Sequence, residues 1–248
     1  VGGKTPEYEE FHPSHTGETG GQMQVVYLDN FKGIRYNINS HEDDFRIYDT
    51  EEDVGETNNL AGTSDYYEGL QQRMKDEVMR LRRPNSTASR PYDDVPVPAF
   101  KDLDVQPGLH CKVFNYESPW VPSQYSLGTA VDESGISTGF TINDAEGTTN
   151  KVVAYDGYLR VPETGTYNIT LKLNGKGIMH LHKALLFDAD KNYTPGNELE
   201  SERILEEGLH RFSLIYSGNA APDVQLSWSG PGVEKQEVVA EHLVHVKK

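Results

Sequence analysis

The chain contains a single cysteine, Cys111, in 248 residues, so no internal disulfide can form and packing alone must hold the fold. It also lacks any apolar run approaching the roughly 18 residues of a membrane-spanning helix. Its first residues, Val1-Gly2-Gly3-Lys4-Thr5-Pro6, have no apolar targeting core. Basic residues are scarce: 23 Lys and Arg stand against 39 Asp and Glu, and the net charge of −16 repels nucleic acid and anionic lipid at long range. No nucleic acid and no membrane are therefore expected as partners. The chain does not begin with Met, so it reads as a piece of something longer, with targeting information in the missing part. Its length accommodates one or two domains.

The β-rich runs Met23 to Leu28 and Phe31 to Ile38 flank Asp29-Asn30, a two-residue hairpin signal. Ile34, Tyr36 and Ile38 are expected to share one face. Phe45 to Tyr48 supplies a third strand, which ends in the acidic loop Asp49 to Asn59. From Asp65 to Arg83 the residues Tyr67, Leu70, Met74, Val78 and Leu81 recur at helical spacing, with Asp65 as the expected N-cap and Pro84 as the stop. A hairpin, one further strand and one helix cannot enclose a core of their own, so this unit needs a neighbour.

Residues 84–104 carry four prolines without a sustained period and read as a semi-extended linker. Beyond Val105 the pattern changes to short β runs bounded by Gly, Pro and Asn. Gly157 to Val161, Tyr167 to Leu173, Ile178 to Phe187, Leu209 to Tyr216 and Val224 to Trp228 are the clearest. The expected fold class is α+β plus all-β: a small antiparallel sheet with a C-terminal helix over residues 1–83, then a β-sandwich over 105–248. Cys111 reads as a small buried hydrophobe. His180 and His182, two apart on one expected strand, would share a face, but no third metal ligand is identifiable.

Two family resemblances follow from these residues. Ile47-Tyr48-Asp49 and Gly55-Glu56-Thr57-Asn58-Asn59-Leu60-Ala61 resemble the tail signature of the sulfatases, with Val54 where that family has proline. Tyr8, Glu10, Phe11 and His12, with Glu9 in place of tryptophan, resemble a second run of that family, and Gln24, Val25, Phe31 and Lys32 a third. The resemblance covers residues 6–83. It implies a terminal subdomain packed on a large α/β catalytic domain absent from this chain, with Glu10 and His12 helping to line the sugar subsite. The formylglycine nucleophile and the calcium would come from that missing domain. Cys111, followed by Lys112-Val113-Phe114-Asn115, fails the nucleophile motif. Ser86-Thr87-Ala88-Ser89-Arg90 matches its serine form letter for letter but follows a helix stop in the linker, the wrong context for a nucleophile.

Residues 105–244 resemble the β-sandwich domain named after anthrax protective antigen. The resemblance rests on Gly157-Tyr158-Leu159-Arg160-Val161-Pro162, Gly165-Thr166-Tyr167, Leu205-Glu206-Glu207-Gly208-Leu209-His210 and Leu226-Ser227-Trp228-Ser229-Gly230-Pro231-Gly232. Members that bind sugar through calcium use a paired Asp-Asp where this chain has Asn174-Gly175, so calcium-dependent sugar binding is not expected. Asp188-Ala189-Asp190 reads as a solvated loop rather than a cation site. The expected function is the C-terminal portion of an exported, periplasmic or extracellular sulfatase acting on sulfated glycan, non-catalytic as an isolated fragment. Its partners are then the sulfatase catalytic domain and the glycan. The alternative is a stand-alone carbohydrate-binding or structural β-sandwich module, for which Trp120, Tyr125 and Tyr155, in loop-like stretches, are the candidate sugar platforms.

Overall fold

The computed structural model describes residues 23–84, 89–115, 118–123, 126–127, 131, 133–141, 151–218 and 221–247. Contacts divide the chain into two units, 1–95 and 96–248.

In the first unit, β1 (Met23–Leu28), β2 (Phe31–Tyr36) and β3 (Arg46–Asp49) form an antiparallel sheet in the order β1-β2-β3. The register closes at Leu28↔Phe31 around the Asp29-Asn30 turn, where Asp29 takes φ 55°. Helix α1 (Asp65–Leu81) covers one face, setting Leu70, Met74 and Val78 against Val26, Phe31, Phe45 and Ile47. Each such side chain taken fully out of water contributes roughly 1.5–3 kcal/mol. Gly33 lets the helix approach, since an added Cβ there would sit 2.5 Å from Met74 Sδ.

The covered face of β2 is thus Phe31, Gly33 and Arg35, not the face of Ile34 and Tyr36. Tyr36 and Tyr27 are exposed on the far side, while Ile38 lies beyond the strand and packs with Met79 and Tyr92. Arg35 is buried because its charge is met: Gln24 Oε1 and the carbonyls of His41 and Asp43 accept from it at 2.6–2.8 Å, and it lies 4.4 Å from the Phe45 ring centroid.

The helix begins and ends differently from its sequence signals. Ser64, not Asp65, is the N-cap residue, and the helix stops at Leu81 with Arg82 extended. Its buried face also includes Gln71 and Lys75. Gln71 both accepts from the Phe45 N–H and donates to the Phe45 carbonyl at 2.9 Å, extending the pairing of β3 by one residue. Lys75 reaches Asp44 at 2.9 Å and the Glu42 carbonyl at 2.7 Å. An apolar period cannot register such residues, because their burial rests on polar partners.

The proline-rich stretch is packed rather than free. Tyr92 is fully buried beside Ile38 and Met79, and the Arg82 guanidinium pairs with Asp93 and lies against the Tyr92 ring. Further on, Val97 and Phe100 form β-bridges to Leu205 and Leu209 of the second unit. The division between the units falls inside this stretch, at Val95 and Pro96.

The second unit is a sandwich. Its larger sheet comprises β4 (Val105–Pro107), β5 (Leu109–Asn115), β6 (Glu133–Ser137), β7 (Lys151–Val161), β9 (Lys176–Leu181), β10 (Ala184–Ala189), β12 (Gly208–Gly218) and β15 (Leu243–Val246). The smaller sheet runs in the order β11 (Glu198–Leu205), β8 (Gly165–Leu173), β13 (Val224–Gly230), β14 (Val233–Glu237). Alternate residues of the two inner faces make the core: Tyr155, Leu159, Phe212, Leu214 and Tyr216 meet Tyr167, Ile169, Leu171, Leu226 and Trp228. The run Ile178 to Phe187 is two strands, with a hairpin turn at His182, which takes φ 54°.

Among the described residues His41 is buried without a partner for Nδ1, and burial, aided by the nearby Arg35 charge, lowers its pKa. The folded chain therefore disfavours a proton that the unfolded chain takes up below about pH 6.5. First-unit stability should fall as pH drops through that value, with a slope of at most roughly 1.4 kcal/mol per pH unit. Asp43, held low by the Asn39 and Ser40 N–H groups, loses its contribution only below the ordinary carboxylate range. Urea titrations followed at 222 nm, which report α1, should show a lower midpoint at pH 5.5 than at pH 7.5. His41→Gln should remove that difference; a midpoint equally pH-dependent in both proteins would refute the assignment.

Candidate functional site

The tail signature forms a clasp. Asp49 Oδ1 accepts the Glu51 and Glu52 N–H groups, Asp53 accepts the Thr57 and Asn58 N–H groups, and Asn59 Oδ1 accepts from Ile47 and Ala61. These backbone donors hold the Asp49 and Asp53 carboxyls below their usual pKa. Glu56, with φ 52°, binds Lys32 Nζ at 2.8 and 3.0 Å. Lys32 and the signature acids are thus spent on loop geometry. Glu10, His12, Ser86 and Tyr125 lie outside the described residues.

Cys111 lies on the inner face of β5, where burial pushes its thiol up to about 11, leaving it protonated and inert at neutral pH. Tyr155 is no loop platform: it sits in the middle of β7, in the core. The missed signal was Val153, Tyr155, Gly157 and Leu159, one period-two series running into Gly157 to Val161. His180 and His182 do not share a strand face, because His182 occupies the turn. Its Nε2 lies 3.0 Å from Nδ1 of the buried His210, whose Nε2 is 2.8 Å from the Glu206 carbonyl. Asp188 and Ala189 close β10, and Asp190 lies 3.3 Å from Lys176. Among the described residues no three His, Cys, Asp or Glu side chains are grouped to hold a metal.

Several elements converge at one end of the sandwich. Asn174, just after β8, is the hub: its Oδ1 accepts from the Tyr216 hydroxyl at 2.8 Å and the Asp223 N–H at 3.0 Å, and its Nδ2 donates to the Ala221 carbonyl at 2.9 Å. Gly175 follows, where an added Cβ would meet the Ser217 carbonyl oxygen at 2.7 Å. Calcium requires hard anionic oxygen ligands. Here the one side-chain oxygen is already committed, its neighbour has no side chain, and the Lys176 ammonium stands alongside. These residues do not fit a calcium ion.

Lys176 instead ties down the segment after β5. Its Nζ donates to the Pro119 carbonyl at 2.8 Å, and Val121 is buried two residues on. Trp120, between these anchors, is 61% exposed. A large indole left in water, one residue past the carbonyl that Lys176 holds, presents an apolar plane to solvent. Such a plane can stack on a sugar ring. Trp120 was visible in the sequence; the anchoring by Lys176 was not, because those residues are 56 positions apart.

The sequence model of the PA14 domain family matches residues 106–242. No curated protein matches the chain. Among solved structures, the PA14 domain of the MpAFP antifreeze protein aligns at 14% identity and TM-score 0.48, covering 60% of this chain and 96% of its own. The PA14 sugar-binding domain from an RTX adhesin aligns at 14% and 0.46, covering 56% and 98%. An anti-sigma factor domain-containing protein from Clostridium clariflavum aligns at 20% and 0.45, covering 60% of this chain and 51% of its own. The chain spans about half the length of that protein and of a second anti-sigma factor domain-containing protein, of which 48% is covered.

The hub yields a paired test. The Tyr216 hydroxyl is bonded to Asn174 and pushed up to about 12 by burial, whereas the Tyr155 hydroxyl is buried without a partner. Tyr216→Phe should cost about 1 kcal/mol, and Tyr155→Phe should cost nothing or stabilise by a similar amount. Chemical denaturation reads both, and the opposite order would show that the hub does not hold this end together.

Proposed function

The chain belongs to the PA14 domain family through residues 106–242, and on that premise we propose that its sandwich is a carbohydrate-binding module whose contact surface is the loop end around Trp120. The observation that carries this reading is the exposure of Trp120 on a segment tied by Lys176 and Val121. Stacking on the indole supplies affinity, and the Lys176 and Asp190 groups supply hydroxyl recognition, all without a metal. The setting that suits such a module is periplasmic or extracellular, where free glycan is met.

A glycan array probed with the 248-residue chain tests this. At least one oligosaccharide should bind, binding should survive chelation of calcium, and Trp120→Ala should weaken it about tenfold or more, as expected for loss of roughly 1.4 kcal/mol of contact. An array without any neutral-sugar hit would overturn the reading, as would neutral-sugar binding indifferent to Trp120→Ala.

A second reading concerns residues 1–95: that they are the terminal subdomain of a sulfatase, a sulfuric ester hydrolase whose nucleophile, calcium and catalytic domain lie outside this chain. What supports it is that the signature residues Asp49, Asp53, Glu56 and Asn59 shape a loop ahead of α1, and that the sheet face opposite α1 carries Tyr27, Tyr36 and Val25. Exposed tyrosines such as Tyr27 and Tyr36 suit contact with a larger body. On this reading Glu10 and His12 touch substrate only in the intact enzyme, and the glycan held by the sandwich is a sulfated one. The isolated chain should not hydrolyse 4-nitrophenyl sulfate, whereas the gene product including upstream sequence should. Upstream sequence without a Cys or Ser nucleophile motif in an α/β context would refute it.

A further inference from the structure

The outer face of the larger sheet carries a depression of about 610 Å³ whose floor is set by strand register. Two rows of side chains cross the adjacent strands β6, β5, β7 and β12. Pairing places Ile136 opposite His110, His110 opposite Asp156, and Asp156 opposite Ser213. The next row, two residues along each strand, is Ser134, Lys112, Ala154 and Ile215. With strands about 4.8 Å apart and a rise of about 3.4 Å per residue, the two rows span roughly 14 by 7 Å. That footprint suits a disaccharide, and the volume falls within the usual range for small-molecule sites.

The chemistry of this floor is specific. Ala154 and Ile215 line it beside Lys112 while packing against Phe114, Leu127 and Val152. In a chain of net charge −16, and among the described residues, Lys112 makes no ion pair or hydrogen bond through its ammonium and the Ser213 and Ser134 hydroxyls have no partner. Asp156 is held by Arg211 at 2.9 Å, which fixes a carboxylate oriented by one cation and still able to accept from hydroxyls. On the rim, His245 is committed, its Nδ1 lying 3.1 Å from the Gly108 carbonyl and its Nε2 2.7 Å from Gln106 Nε2. The rim is therefore rigid while the floor offers open donors and acceptors. Ile136, 46% exposed at the edge strand, adds an apolar wall.

We propose that this depression is a second binding site, for an acidic sugar: a saccharide whose hydroxyls are read by Asp156, Ser213 and Ser134 and whose anionic group, carboxylate or sulfate, is met by Lys112. A neutral sugar leaves the Lys112 charge unmatched, and a simple inorganic anion leaves the Asp156 row unmatched, so the site selects for both features together. It stands independently of the Trp120 surface.

Titration calorimetry on the 248-residue chain tests it with three disaccharides of one skeleton: neutral, uronate-bearing and sulfated. The uronate or the sulfated form should bind at least tenfold more tightly than the neutral one, the stronger of the two identifying the anion. Lys112→Glu, an exposed substitution that leaves the fold intact, should weaken that binding tenfold or more. Ser213→Trp, which fills the floor, should abolish it, with retained near-ultraviolet dichroism showing an intact sandwich. Trp120→Ala should leave it unchanged, which separates this site from the loop end. Equal binding of all three sugars, binding untouched by Lys112→Glu, loss of binding on Trp120→Ala, or no binding at all would overturn the proposal.

Discussion

The pairing of β7 with β12 is the constraint on which the second unit depends. Eleven consecutive pairs, from Gly208↔Val161 to Gly218↔Lys151, fix which side chains face inward. Because side chains alternate strictly, a slip of β12 by one residue would send Phe212, Leu214 and Tyr216 to solvent and bring Ser213 into the core. The inner face so fixed buries the aromatic core against Tyr167 and Trp228, whose rings lie 5.4 Å apart. The same register sets the outer rows, and through Tyr216 it also positions Asn174 at the loop end. Core, outer depression and loop hub are thus three readings of one alignment.

Some of this was legible in the chain and some was not, for definite reasons. Tyr167, Ile169, Leu171 and Leu173 alternate cleanly because β8 is the central strand of its pair of neighbours and packs on the core along its whole length. The stripe of Leu70, Met74 and Val78 was equally plain. By contrast β6, β11 and β14 are edge strands with polar residues on exposed positions, such as Glu198, Glu200 and Glu202 along β11, and no apolar period marks them. Charged outward residues on an edge also discourage unwanted pairing with other chains. The outer depression was invisible for a different reason: it joins residues near 110, 135, 155 and 213 that only tertiary register brings side by side.

The two units show different uses of polar residues. In the first, buried polar groups are structural: Arg35, Gln71 and Lys75 each meet backbone or carboxylate partners that fix the sheet to its helix, and the acidic loop closes on its own amides. In the second, the polar groups that matter are those left facing water on a rigid scaffold. The residues Asp49, Asp53 and Asn59 of the first unit thus shape a loop. The family membership of the second unit rests on the match over residues 106–242.

The chain contains two tryptophans, Trp120 exposed and Trp228 sealed in the core, and this supplies a direct measurement of where sugar lands. In a sample labelled with ¹⁵N at tryptophan, addition of a glycan that binds should shift and broaden the Trp120 indole N–H resonance while that of Trp228 stays in place. A bound neutral glycan that leaves the Trp120 resonance unmoved would contradict the account of this end of the sandwich as the sugar-contacting surface.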